Sequence, residues 1–558
     1  MRSQRAVDME SRPSRVEEEA AANLLDIQRY GSGMSERQTS LVDVRETARA
    51  FVAGAFNALR KEFVIPTPVF HPYVRVGRDY FGDTTRSVPA YHDLEKRLDE
   101  LYPNRFAEPL KRRHAEFASG YIFSFLEACI ARCGRLGYYD EHDHFDPNSD
   151  AVTKTIEELI AVLDSVTYEV VCCRFVSHLT TENNAEITLG DITVVSEPEG
   201  FGGLTERIAG EIAGGWSAFN RDDPRPYDPP HALLIIRERT DDPEPYEVAQ
   251  RLSNKLERFL LLARLFSAGT VHSLFEVRGM TTLVSRMNPY MTEFRGSRTL
   301  VRRAVWLDEQ HAPAFEAIGE LVDKADIKRE GMAATSFDVA LGKFNSSHHH
   351  ENPYEALVDL ATALEAILAG GETETEGLTL RLRNRAAAVL ATDGDPARAV
   401  FGDVGLLYGL RSKLVHGGQI KQSDLRRDLG KISTMPEGEA ENRFGVAIGY
   451  AVDRMRDLVR RAILARLCLA AEPDPVWPFS GGIGVDALLS DDETRGRWRV
   501  SWHAKLAGLG IEAAANPPPQ AVDFLTPHEH SSPEAAASSR PTRRRGEHEG
   551  DPARPSEL

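Results

Sequence analysis

The chain has 558 residues and a formal charge of −18, too long for one ordinary hydrophobic core and long enough for two or three domains. That acidity argues against a surface coated for nucleic-acid binding, which draws its affinity from many Lys and Arg contacts, but leaves room for a local site. Its five cysteines form no paired CxxC units, its N-terminus has no apolar core, and no stretch approaches the roughly 18 apolar residues of a membrane span, so zinc-ribbon, secreted and transmembrane classes are disfavoured and a cytoplasmic protein is expected.

Residues 1–45 are polar and mixed in charge and read as a disordered arm, with a helical patch around Val16 to Tyr30. From Val42 to Asp164 apolar residues recur at three and four, as in VRETARAFVAGAFNALRKEF and in Phe106 to Leu136, which predicts a helical domain over 46–165. Across 166–300 the runs YEVVCCRFVSHL, AEITLGDITVVSE and HALLIIRER predict strands of a small mixed sheet, followed by a helix from Tyr246 to Ala268 that stops at Gly269. A helical spacer is expected over 301–350, an appended segment over 473–515 and a disordered tail over 516–558, whose Arg543, Arg544 and Arg545 read as solvated.

Residues 351–472 carry the strongest local signals. Asn352, Pro353 and Glu355 form an N-cap, a first-position proline and the third-position glutamate of a capping box. The helix they open runs through Leu357, Leu360, Ala361, Leu364 and Leu368 and stops at Gly370 and Gly371. Further helices are predicted from Leu380 to Ala391, Pro396 to His416 and Asn442 to Ala471, a small bundle joined by short links. The fold class expected is mainly α with a small mixed α/β middle region and a C-terminal bundle of four or five helices.

The segment LRSKLVHGG, Leu410 to Gly418, holds the candidate chemistry. On a helical wheel Val404, Leu407, Leu410, Leu414 and Val415 spread across one arc with Arg411 near its middle, and a guanidinium there requires an acidic partner, a subunit interface or an anionic ligand. His416 falls on the opposite side unless Gly417 and Gly418 stop the helix and let the last residue turn away, or unless two copies of the helix meet. An arginine and a histidine facing one cleft suit phosphodiester cleavage, since histidine moves protons near neutrality and arginine steadies phosphate charge. His416 also reads as an ordinary helix C-cap favoured by the macrodipole.

EALVDLATALEAIL, LRLRNRAAAVL and LYGLRSKLVHGG, spaced as successive helices, together resemble the HEPN superfamily, specifically its Apea-like branch of bacterial abortive-infection proteins. The resemblance covers Glu351 to Ala471, and RFLLLARLFSAGTV with its spacer resembles the sensor-like regions that precede such domains. It implies a metal-independent, cofactor-free endoribonuclease with an R-x4-6-H motif, completed as a homodimer, with RNA as substrate and a phage-derived trigger. Carried over, Arg411 binds the scissile phosphate and His416 acts as general acid or base for the ribose 2′-hydroxyl. Ser412 stands where the family often has Asn, Asp or His, and Glu365, at the edge of the first helix's apolar stripe, is either the acid that orients Arg411 or a surface glutamate. The alternative function is a non-catalytic scaffold, or a protein that binds nucleotide or RNA.

Other constellations are weaker. His348, His349 and His350 read as a solvated loop rather than metal ligands, because no carboxylate or cysteine is placed by motif to complete a tetrahedral site. His142 and His144 read as a polar loop, and Gly200, Gly202 and Gly203 as a turn lacking the dinucleotide fingerprint.

Overall fold

The computed structural model describes residues 37–58, 83–106, 118–133, 146–165, 167–196, 201–212, 231–241, 245–285, 287, 290–294, 301, 303–325, 335–370, 376–415, 421–470 and 485–514. The expectations for the N-terminal arm before residue 37, for His142 and His144, and for the tail from 516 lie outside them.

Four helices, α1 (37–58), α2 (Pro89–Leu101), α3 (Ala118–Cys133) and α4 (Asp150–Asp164), form an N-terminal unit around Phe51, Leu94, Phe125 and Ile156. α1 starts ahead of the expected boundary at 45 because Val44 already belongs to this core. Ser149 caps α4 by accepting from the Val152 amide. The unit docks through α4 on the loop that follows residue 280 within the sheet unit, where Glu158 accepts from the Leu283 and Val284 amides at 2.6 and 3.2 Å.

The sheet unit contains β1 (Tyr168–Ser177), β2 (Leu179–Thr181), β3 (Ile187–Leu189), β4 (Ile192–Ser196), α5 (Phe201–Glu211), β5 (Ala232–Thr240), α6 (Pro245–Phe266), β6 (His272–Met280), β7 (Tyr290–Glu293) and β8 (Val305–Leu307). Six strands run in the order β3-β4-β5-β1-β6-β7, antiparallel throughout, and β2 pairs with β8 in parallel. β1 is apolar on both faces because both are covered: Val170 and Cys172 share a core with α6, and Val171 and Cys173 share one with α5. β6 and β7 were not among the predicted strands, and β8 lies inside the expected helical spacer. β6 is hard to read because it carries His272, Glu276 and Arg278, and Glu276 is buried because Arg174, Arg278 and Ser253 bond it. Gly202 and Gly203 belong to the first turn of α5, which corrects the turn expected there.

The C-terminal part follows with α7 (Ala312–Ala325), α8 (Ser336–Ser346), α9 (Pro353–Ala369), α10 (Leu378–Leu390), α11 (Ala397–Val415), α12 (Gln422–Leu429), α13 (Phe444–Ala470), α14 (Val485–Ser490) and α15 (Asp492–Gly508). α13 is its axis, touched by α8, α9, α10, α11, α12 and α15 and buried from Val446 to Leu469. All five apolar positions expected inside α9 are buried. Asn352 caps that helix by accepting from the Tyr354 amide at 3.0 Å, but Glu355 is no capping-box partner: its carboxylate faces the His350 ring at 3.3 Å. Residues 485–514 are part of the bundle rather than an appendage, since the fully buried Trp502 donates to the Val389 carbonyl and Arg385 forms a two-point pair with Asp486 at 2.8 and 2.9 Å. The molecule is thus mainly helical with a small antiparallel sheet in its middle. Among the described residues no helix is long and apolar enough to cross a membrane.

Candidate functional site

Three of the four residues singled out by sequence are described; His416 and the two glycines after it lie outside the described residues. Val404, Leu407 and Leu410 of α11 are buried, Leu414 is partly covered and Val415 is 50% exposed, so the apolar arc fades in the last turn as the helix leaves the bundle. Arg411 sits where it fades. Its side chain is 23% exposed, and its guanidinium lies 5.6 Å from the centre of the Tyr408 ring, one turn earlier, at cation–π range. Its Nη2 is 4.0 Å from Glu365 Oε2 on α9, the outer limit of an ion pair, and its buried Nε has no hydrogen-bond partner.

Glu365 is held by something else. The Tyr408 hydroxyl donates to Glu365 Oε2 at 2.8 Å. Burial, then the hydrogen bond and charge of Glu365, push that phenol up to about 12, so it remains a donor at neutral pH. The structure therefore brings Glu365 to Arg411, with Tyr408 fixing the carboxylate and supporting the guanidinium at once. Tyr408 escaped sequence reasoning, although its place three residues before Arg411 puts it on the same helix face. Ser412 is partly buried. The arrangement leaves a positioned guanidinium with donors to spare at the open end of a helix, suited to holding an oxyanion.

The histidine run is not a solvated loop. His348 is buried, His349 Nε2 lies 3.3 Å from Glu257 Oε1 of α6, and His350 Nε2 lies 2.8 Å from Asp359 Oδ2 of α9. The run closes the turn between α8 and α9 and ties it to the sheet unit, a role set by tertiary partners that flanking polarity concealed. Among the described residues no three His, Cys, Asp or Glu side chains converge where they could hold a metal ion.

A second charged region lies in the core of the bundle and had no sequence signal. Arg454 of α13 donates to both oxygens of Asp395 at 2.7 and 3.0 Å and to Asp403 of α11 at 2.8 Å. Arg461 adds a bond to Asp395 at 2.5 Å and pairs with Asp457, while the Ser433 amide and hydroxyl complete Asp403 at 2.9 and 2.5 Å. Asp395, Ser433, Arg454, Asp457 and Arg461 line a cleft of about 890 Å³ together with Arg303, Asp453 and His503. Burial pushes the Asp453 carboxyl up, against the pull of Arg303 at 3.5 Å and of Arg456. The periodicity of α13 suggests no such interior, because its Asp and Arg residues resemble an exposed face until their partners are known.

No known protein family, curated protein or solved structure matches the chain.

Proposed function

We propose that the protein is a metal-independent endoribonuclease of HEPN type, cytoplasmic and acting as a homodimer in prokaryotic anti-phage defence, with the region upstream of the bundle as sensor or regulator of the nuclease. One observation carries this reading: Arg411 stands at the open end of α11, five residues before His416, oriented by Glu365 and Tyr408 yet not consumed by them. A guanidinium held in that way meets an incoming phosphate without first breaking a tight ion pair.

In the proposed reaction His416 takes the proton of a ribose 2′-hydroxyl as that oxygen attacks the adjacent phosphorus, and Arg411 stabilises the charge that gathers on the non-bridging oxygens. The bond to the 5′-oxygen breaks, and a second acid, His416 of the other copy, returns a proton to it. The products are a 2′,3′-cyclic phosphate and a 5′-hydroxyl. The half-exposed Val415 beside the site offers a second copy an apolar contact. RNA incubated with the protein in EDTA, followed by mapping of product ends, tests the reading. Cleavage that leaves other ends, or that persists in full in His416→Ala, overturns it.

The contact between Glu365 and Arg411 favours a second reading, in which a partly neutralised arginine only binds RNA or nucleotide within a non-catalytic scaffold. RNA that stays intact yet binds, with binding lost in Arg411→Ala, selects it. A strict monomer by light scattering removes the shared cleft from both readings.

A further inference from the structure

Where the sheet unit meets the bundle, three buried polar side chains from three elements are each left with an unpartnered nitrogen. Arg264, in the last turn of α6, is 1% exposed; its Nε donates to the Val271 carbonyl at 3.0 Å and its Nη1 bonds Asn345, but its Nη2 has no hydrogen-bond partner. Arg456, in the middle of α13, is 4% exposed, its Nε is orphaned, and no described residue hydrogen-bonds or ion-pairs with it. His348, just past α8, is 1% exposed with an unpartnered Nε2.

The backbone brings them to one place. Arg460, one turn on from Arg456, donates to the carbonyls of Leu265 and Phe266 at 2.9 and 2.8 Å, the two residues after Arg264. Asn345, which bonds Arg264, lies three residues before His348. Burial, then the charges of Arg456 and Arg264, hold the His348 imidazole well below its ordinary range, in keeping with the placement those bonds give.

Charge accounting exposes a deficit. Glu257 is already shared among Arg174, Arg264, Asn345 and His349; Glu276 serves Arg174, Arg278 and Ser253; and the charge of Asp453 is divided between Arg303 at 3.5 Å and Arg456 beyond bonding distance. Arg456 has no carboxylate at bonding distance, and Arg264 has only a quarter share of one at 3.4 Å. Burial lowers both guanidiniums only to about 10, so both keep their charge near neutrality. A buried guanidinium whose charge is only partly compensated is strongly destabilising.

We propose that this junction binds a phosphate-class oxyanion, gripped by Arg264 Nη2, Arg456 and His348 Nε2, and that its occupancy fastens α6 of the sheet unit to α13 of the bundle. Donors arriving from two guanidiniums and an imidazole match an anion with several acceptor oxygens better than they match a monatomic halide. The site shares no residue with the end of α11, and its test uses no RNA, so it stands or falls independently of the nuclease reading.

The probe is inorganic phosphate titrated into the full-length protein at ionic strength fixed with chloride. The melting temperature is expected to rise with the logarithm of phosphate concentration, in Arg411→Ala as in the parent, because a ligand of the folded state stabilises by mass action. Arg456→Met is expected to weaken phosphate affinity about tenfold or more, and to match or exceed the parent's melting temperature without phosphate, since an apolar side chain replaces an unpaired charge. Equal melting temperatures in phosphate and chloride, or an unchanged phosphate response in Arg456→Met, overturn the proposal. If that variant does not fold, calorimetric titration of Arg411→Ala decides: one saturable phosphate site supports the assignment, and none overturns it.

Discussion

Arg454 and Arg411 belong to the same bundle and are held in opposite ways. Arg454 is 3% exposed and uses its whole fork, two bonds to Asp395 and one to Asp403, while Arg411 keeps one distant carboxylate, one aromatic ring and an orphaned Nε. In the first arrangement every guanidinium nitrogen is engaged by a carboxylate, so it fixes how α10, α11 and α13 pack. The second holds its cation just firmly enough to aim it. A charged residue in a helical bundle is thus better judged by how completely its donors are used than by how deeply it is buried.

That contrast can be broken most severely at the saturated end. Arg454→Met leaves Asp395 to Arg461 alone and Asp403 to Ser433 alone, and is expected to cost about 3–5 kcal/mol of unfolding free energy, measured by urea denaturation, because breaking a buried pair leaves a carboxylate charge under-compensated in the interior. A loss under about 1 kcal/mol would mean that those carboxylates reach water, and the distinction between the two arginines would fail.

Arg411→Ala sharpens the comparison from the other side. Its stability is expected to change by no more than about 1 kcal/mol, whereas RNA cleavage falls on the order of 10²–10³-fold. Cleavage and stability falling together would make Arg411 a packing residue like Arg454.

A smaller, pH-dependent effect comes from His348. Its folded-state pKa lies well below the ordinary 6.5, so the unfolded chain takes up the proton first. The resulting stability is fully present above 6.5 and is lost as pH falls through and below it, with a slope approaching about 1.4 kcal/mol per pH unit for one proton. Glu257 acts in the same direction at lower pH. Although burial opposes it, the His349 hydrogen bond and the Arg264 charge depress its carboxyl below the ordinary 4.5, and that contribution disappears as pH falls further. In phosphate-free buffer His348→Gln is expected to flatten the stability profile between pH 7 and 5 and to leave the acid limb below it; an unchanged profile between pH 7 and 5 would show that His348 is solvated.

The smallest effect is expected for Tyr408→Phe. Losing one hydroxyl that bonds a carboxylate should cost about 0.5–1.5 kcal/mol, and it frees Glu365 to close on Arg411. On the proposed reading RNA affinity then drops while thermal stability barely moves, so an affinity that rises instead would show that Glu365 does not compete with the phosphate.

The helices α6, α9, α10, α11 and α13 were legible because apolar spacing at three and four survives in any context, and the cap at Asn352 because it is a local hydrogen bond. β6 was not, since its buried Glu276 and half-buried Arg278 interrupt the pattern by which strands are recognised. At the candidate site Arg411 stood out for its place in an apolar arc, and Glu365 was named as one of two alternatives. Tyr408 went unnoticed because a tyrosine on a helix reads as core until its hydroxyl is seen to bond a particular carboxylate.

By itself the sequence determined the spans of α6, α9, α10, α11 and α13 to within a few residues, which of the apolar positions of α9 face inward, and that Arg411 needed a partner, because those properties depend on neighbours within one or two turns. Only the tertiary structure decided that the charged face of α13 lies inside, that His348 is sealed beside Arg264 and Arg456, and that Glu365 and Tyr408 together brace Arg411. Each of those outcomes depends on groups distant in sequence, and the energy of a buried charge depends on which partners surround it rather than on its own identity.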